Sequence, residues 1–158
     1  MNVFIMRHGE AESVAETDMQ RELTEEGRND IAQMAMSYKE DLSHVDSIWA
    51  SPYIRAQQTA HIMSEHLSVP VITQAFLPPN ANPAEVLDNL ELHRKQTVLI
   101  VSHQPLVGTL VDGLAALEPG QYRMGTGSLA YLSTEVYANG CCELLWLHQP
   151  ASTQAVCS

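Results

Sequence analysis

A chain of 158 residues, 45% hydrophobic and 17% charged, is sized for one folded domain with a sizeable core. Its 8 Lys+Arg against 19 Asp+Glu give a formal net charge of −11, which argues against nucleic acid as a partner and makes any gathering of arginines informative. No apolar run approaches a membrane span, MNVFIM lacks the length and basic lead of a signal peptide, and Cys141-Cys142 has neither disulfide nor C-x-x-C spacing. We therefore expect a cytoplasmic protein with reduced thiols, no membrane partner, no metal and no cofactor. A single domain over residues 1–150 is expected, followed by a loosely ordered tail at 151–158.

In chain order, Asn2–Met6 is a short continuous apolar run and predicts a buried strand. Thr24 is a candidate N-cap for a helix through LTEEGRNDIAQMAMSYKEDL, with Ile31, Met34, Ala35, Tyr38 and Leu42 on one face. Asp46–Ala50 predicts a second strand. Ser51-Pro52 then reads as an N-cap and first helical residue ahead of YIRAQQTAHIMSEHL. VPVIT is a third strand, and a helix starts near Pro83. TVLIVS (97–102) is the clearest buried strand, with His103 at its end and Pro105 opening the helix LVGTLVDGLAAL. SLAYLSTEV and CCELLWLH predict two strands joined by a turn at Asn139-Gly140.

Strands that alternate with helices predict an α/β fold: a three-layer sandwich on a mostly parallel sheet with an antiparallel edge strand. Ligands of such sheets bind beyond the carboxyl ends of the strands. The first exit carries Arg7 and His8, the second Arg55 at the end of a first helical turn, the third His103. Two guanidiniums and two imidazoles in one crevice suit a phosphate or another tetrahedral oxyanion. A metal site from His8 and His103 is disfavoured by the adjacent arginines. His44, His61, His66, His93 and His148 read as surface or packing residues.

R-H-G-E (7–10), S-P-x-x-R-A-x-Q-T-A (51–60) and S-H-x-P (102–105) resemble the histidine phosphatase superfamily in order and spacing. Asp18, Arg21, Leu23 and Thr24 in D-x-x-R-x-L-T, with H-x-P-L-V-G at 103–108, are similar to its SixA branch of phosphohistidine phosphatases. The resemblance implies a phosphoglycerate mutase-like fold with His8 as nucleophile and a phosphohistidine enzyme intermediate. It makes Arg7 and Arg55 the phosphoryl clamp, with a His103 protonated against the dianion stabilising the transition state. Arg21 is a candidate for the pocket rim, or else a loop arginine paired with Asp18 or Glu22. Ser128, in GTGSLA with Thr126, is a further candidate lining residue.

The chain departs from the family pattern at two places. An asparagine that helps hold phosphate in many relatives is replaced near Val14, and F-L-P-P-N-A-N offers no acid after the third strand. Asp18 and Glu85 are the remaining candidate proton donors, while Glu10 and Glu12 read as solvated loop acids. A phosphoramidate leaves as imidazole and needs less proton help than an alkoxide. That chemistry favours phosphohistidine, and the resemblance to the SixA branch implies a phosphorylated histidine-phosphotransfer (HPt) domain of a signalling protein as its carrier. The alternatives are a small-molecule phosphomonoesterase and a non-catalytic phosphate-binding module.

Overall fold

The computed structural model describes residues 1–152, so the expected tail falls outside the described residues from 153 onward. Its strands are β1 Asn2–Arg7, β2 Ser47–Ala50, β3 Val71–Thr73, β4 Val98–Ser102, β5 Leu129–Thr134 and β6 Cys142–His148. They form one sheet in the order β3-β2-β4-β1-β5-β6. The ladders from β3 to β1 are parallel, and β5 pairs antiparallel with both β1 and β6. The antiparallel pairing thus occupies one side of the sheet and ends at β6.

Helices α1 (Glu25–Ser37), α2 (Ile54–Leu67), α3 (Pro83–Leu92) and α4 (Leu106–Leu114) cover both faces. Alternate side chains of one strand separate between them. Val3, Ile5, Trp49, Val98 and Ile100 pack with Val86 and Leu90 of α3 and with Leu106 to Leu114 of α4. Phe4, Met6, Ile48, Leu99 and Val101 pack with Ile31 and Met34 of α1 and Ala56 to Met63 of α2. Burial on both faces is why β1 and β4 read as continuous apolar runs and not as alternating ones.

Element ends differ from the sequence expectations for local reasons. Thr24 does cap α1, its hydroxyl accepting from Gly27 N, but the helix stops at Ser37. Leu42 N still donates to Tyr38 O, so the following turn keeps Leu42 on the buried face. The third strand starts at Val71, since Pro70 has no N–H to give a ladder. Helix α4 ends before Ala116, which is left-handed at φ 54°, and Gly140 makes its turn at φ 75°.

Helix α2 is the instructive case. It begins at Ile54, and Tyr53 is its N-cap without a side-chain bond. Ser51 accepts from Tyr53 N at 3.3 Å but lies outside the helix, held extended by the proline after it. Its hydroxyl keeps a proton to donate elsewhere.

Candidate active site

Register brings the strand exits level. Arg7 pairs with Ser102 across β1–β4, and Ala50 pairs with Val101 across β2–β4. His8 N donates to Ser102 O at 3.0 Å and Ser51 N to Val101 O at 3.1 Å, so adjacent strands leave the sheet together. From the other side Gly127 N donates to the carbonyls of Arg7 and His8. Gly127 sits at φ 76°, and a Cβ there would also press on Pro150 at 2.7 Å. Gly9 answers a different need. Its close neighbours are Ile31, Gly27 O and Leu23, so it lets the loop lie against α1.

The result is a cleft of about 400 Å³ lined by Arg7, His8, Arg55 and His103 with Asp18, Arg21 and others. A larger depression of about 570 Å³ lies at the opposite end of the sheet, between Met1 and Thr97, and gathers no comparable set. Of the chain's 8 Lys+Arg, Arg7, Arg21 and Arg55 line the cleft, and Arg123 is close enough to act electrostatically on Arg7. A protein of net charge −11 thus concentrates positive potential where an anion enters.

His8 is 5% exposed, and its Nδ1 lies 2.7 Å from Gly9 O. A carbonyl only accepts, so Nδ1 carries the proton. Arg55 Nε only donates, and it reaches His8 Nε2 at 3.2 Å. His8 Nε2 is therefore the unprotonated nitrogen, facing the cleft. Burial, opposed by the Gly9 bond and reinforced by Arg55, Arg7 and Arg21, lowers its pKa to about 4.

His103, 1% exposed, has its ring centroid 5.0 Å from that of His8. Its Nε2 meets Ser51 Oγ at 2.7 Å, whereas its buried Nδ1 has no partner. Burial first, then His8 and Arg55, lower its pKa to about 3. Before an anion binds His103 is neutral, because burial and the nearby guanidiniums disfavour its charged form. A bound dianion opposes that shift.

Arg7 donates from Nη1 to Met124 O at 3.1 Å, while its buried Nε is unpartnered. No described carboxylate pairs with it. Burial, Arg123 and Arg55 lower its pKa from the ordinary value. Arg55, 4% exposed, is anchored through Nη1 to Asp18 O at 2.7 Å and through Nη2 to Asp18 Oδ2 at 3.2 Å. Arg7 and His103, each with one unpartnered buried nitrogen, thus line one cleft with the unprotonated Nε2 of His8, a set suited to binding an anion.

Arg21 fulfils both of its alternatives, lining the cleft while pairing with Asp18 at 2.9 Å. The same contact disqualifies Asp18 as a proton donor. Arg21 above all, and Arg55 with it, hold the carboxyl below the usual carboxylate range, leaving it no proton to give. Glu85 sits exposed on the first turn of α3 and is not among the residues lining the cleft. Ser128 is fully buried, donates to Gly125 O at 2.6 Å and does not line the cleft either. The neighbouring Thr126 does, as do Glu10 and Gln104. Thr59 was missed from sequence: its hydroxyl accepts from Gly9 N at 3.1 Å and donates to Arg55 O at 2.8 Å. Its place one helical turn after Arg55 was the available signal.

The two depressed imidazoles make stability depend on pH. The unfolded chain takes up these protons near pH 6.5, the fold only near 4 and 3. Between those values the unfolded state binds more protons, so this contribution is full above about 6.5 and is lost as pH falls through the folded values. In phosphate-free buffer, Tm should fall more steeply from pH 7 to pH 5 for the parent than for His103→Asn. Parallel slopes would exclude the linkage.

The chain is similar to known proteins over most of its length. A model of the histidine phosphatase superfamily (branch 1) matches residues 3–78. The phosphohistidine phosphatase SixA homolog of Haemophilus influenzae is 37% identical over 126 residues, covering 72% of this chain and 77% of that protein. Phosphohistidine phosphatase SixA of Escherichia coli is 33% identical over 149 residues, covering 89% of each. The chain belongs to the histidine phosphatase superfamily. As a member it is a hydrolase of the phosphatase class, and its sandwich is the phosphoglycerate mutase-like fold. Among solved histidine phosphatases, SixA complexed with tungstate superposes with a TM-score of 0.87 at 30% identity, covering 97% of this chain and 99% of that one. An Entamoeba histolytica phosphoserine phosphatase, at 18% identity and a TM-score of 0.71 over 92% and 95% of the two chains, shares the fold alone.

Proposed function

We propose that the chain hydrolyses phosphohistidine carried by a protein, namely an HPt domain of a signalling protein, through a phosphohistidine intermediate on His8. The observation that carries this reading is the bare Nε2 of His8, fixed by Gly9 and Arg55 and set beside the unpartnered Arg7 Nε and His103 Nδ1. The names of the SixA relatives support phosphohistidine as substrate, and the tungstate in a solved SixA structure supports binding of a tetrahedral oxyanion.

In the proposed reaction the entering phosphoryl group draws Arg55 Nε from His8 onto its own oxygens, with Arg7 and His103 as further donors. Nε2 of His8 then attacks phosphorus in line, and the substrate P–N bond breaks with its electron pair passing to the departing imidazole. A ring protonated at its other nitrogen leaves neutral and asks no proton of the enzyme. Water next attacks phosphorus, the P–N bond to His8 breaks with its electron pair returning to Nε2, and the protons of the water leave on the departing dihydrogen phosphate.

The carboxylates favour this substrate over an alcohol ester. Asp18 is tied to two guanidiniums, and Glu10 accepts from Thr24 Oγ1 at 3.0 Å. Neither is poised to protonate an alkoxide. The segment that brings Asp18 and Arg21 to the cleft also exposes Val14 at 85% and Met19 at 46%, which suits contact with a protein surface.

The test offers the protein a phosphorylated HPt domain and a panel of sugar and nucleotide monophosphates. We expect kcat/KM to be higher on the HPt domain by at least about 100-fold, the scale of one missing proton donor. Equal or faster turnover of any monoester would overturn the assignment.

A further inference from the structure

We infer that Ser51 is a positioning residue that fixes the tautomer of His103, turning its Nδ1–H toward the bound phosphoryl group. Ser51 follows directly on β2, is fully buried, and lies 2.7 Å from His103 Nε2. Its oxygen already accepts from Tyr53 N at 3.3 Å. A buried hydroxyl also has one proton to place. Among the described residues, His103 Nε2 is the acceptor within its reach.

Only two arrangements of the neutral pair exist. If His103 Nε2 carried the proton, the Ser51 hydroxyl proton would be stranded and a bare Nδ1 lone pair would face the cleft. That lone pair would repel the oxygens of an incoming anion. If Ser51 donates instead, Nε2 accepts and the imidazole proton resides on Nδ1. That atom is the one the fold buries without a partner. The second arrangement satisfies every group except Nδ1–H, which the anion then completes. Burial and the surrounding cations keep the imidazole neutral in the empty site, so the tautomer decides whether it greets an anion as donor or acceptor.

Sequence context explains how a serine comes to this role. Pro52 holds Ser51 extended, and the parallel register of β2 with β4 sets it beside Ser102 and hence beside His103. Ser51 does not line the cleft, so its influence on the reaction passes through His103.

The experiment is long-range 15N–1H correlation of the full, uniformly labelled chain at pH 7.5, with the His103 signal assigned by its loss in His103→Gln. We expect the Nδ1–H tautomer in the parent and a shift toward Nε2–H in Ser51→Ala. With that shift kcat should fall about tenfold and KM change less than about twofold, because the donor acts in the transition state. A parent spectrum showing Nε2–H overturns the inference, as does a Ser51→Ala spectrum that keeps Nδ1–H. A shifted tautomer with unchanged kcat refutes the positioning role. The tautomer is read on resting protein, so it stands apart from the proposed substrate on which the kinetic consequence rests. The parent spectrum alone decides should the variant not fold.

Discussion

A His8→Ala variant is expected to lose turnover of a phosphorylated HPt domain by about 10⁴-fold or more, the scale seen when a covalent nucleophile is removed. The side chain does three things at once: its Nε2 is unprotonated and is the proposed nucleophile, its Nδ1–H is tied to Gly9 O, and its ring meets His103. Removing it leaves Arg7 and Arg55 in place, so tungstate should still bind to the variant. Rapid quench with 32P-labelled substrate should trap acid-labile label on the parent and none on His8→Ala. Full activity in the variant, or label on another residue, would sink the proposed mechanism.

Arg55→Ala should cost about 10³-fold in kcat/KM, since a clamp on a transferring phosphoryl group acts mainly in the transition state. Arg55 also holds the Asp18 segment, through the carbonyl and the carboxylate, at the mouth of the cleft. Arg55→Lys should recover little, because one ammonium cannot serve His8, Asp18 and an anion from a planar fork. The variant carries a second signature. Arg55 is among the causes that lower the His8 pKa, so its removal moves that value upward. The acid limb of the kcat/KM profile, where protonated His8 cannot attack, should move to higher pH by the same sense. An unchanged limb, or a loss below tenfold, would count against Arg55 as clamp.

Much of this site was legible because motifs sit where local rules place them. Arg7-His8 and Ser102-His103 end apolar runs, and Arg55 lies one turn into a helix that starts after a proline, so backbone periodicity alone assigns them to strand exits. Thr24 was readable as a cap for a similarly local reason. The proton donors were not legible. Asp18 and Glu85 are the same chemical type in sequence. The fold ties one to two guanidiniums and leaves the other exposed on α3. Ser51-Pro52 reads as a cap and first helical residue in sequence, whereas the helix starts at Ile54 with Tyr53 as its N-cap. Only the β2–β4 register reveals that His103 is the partner of Ser51.

The sequence by itself determined the elements, the layered α/β class and the set Arg7, His8, Arg55 and His103, because each depends on neighbours within a turn or a strand. The tertiary structure alone decided the protonation of that set. Whether an imidazole is neutral, and which nitrogen bears its proton, depends on burial and on partners such as Ser51, 52 residues away from His103 in the chain. Desolvation and hydrogen bonding act through space, and sequence spacing carries neither.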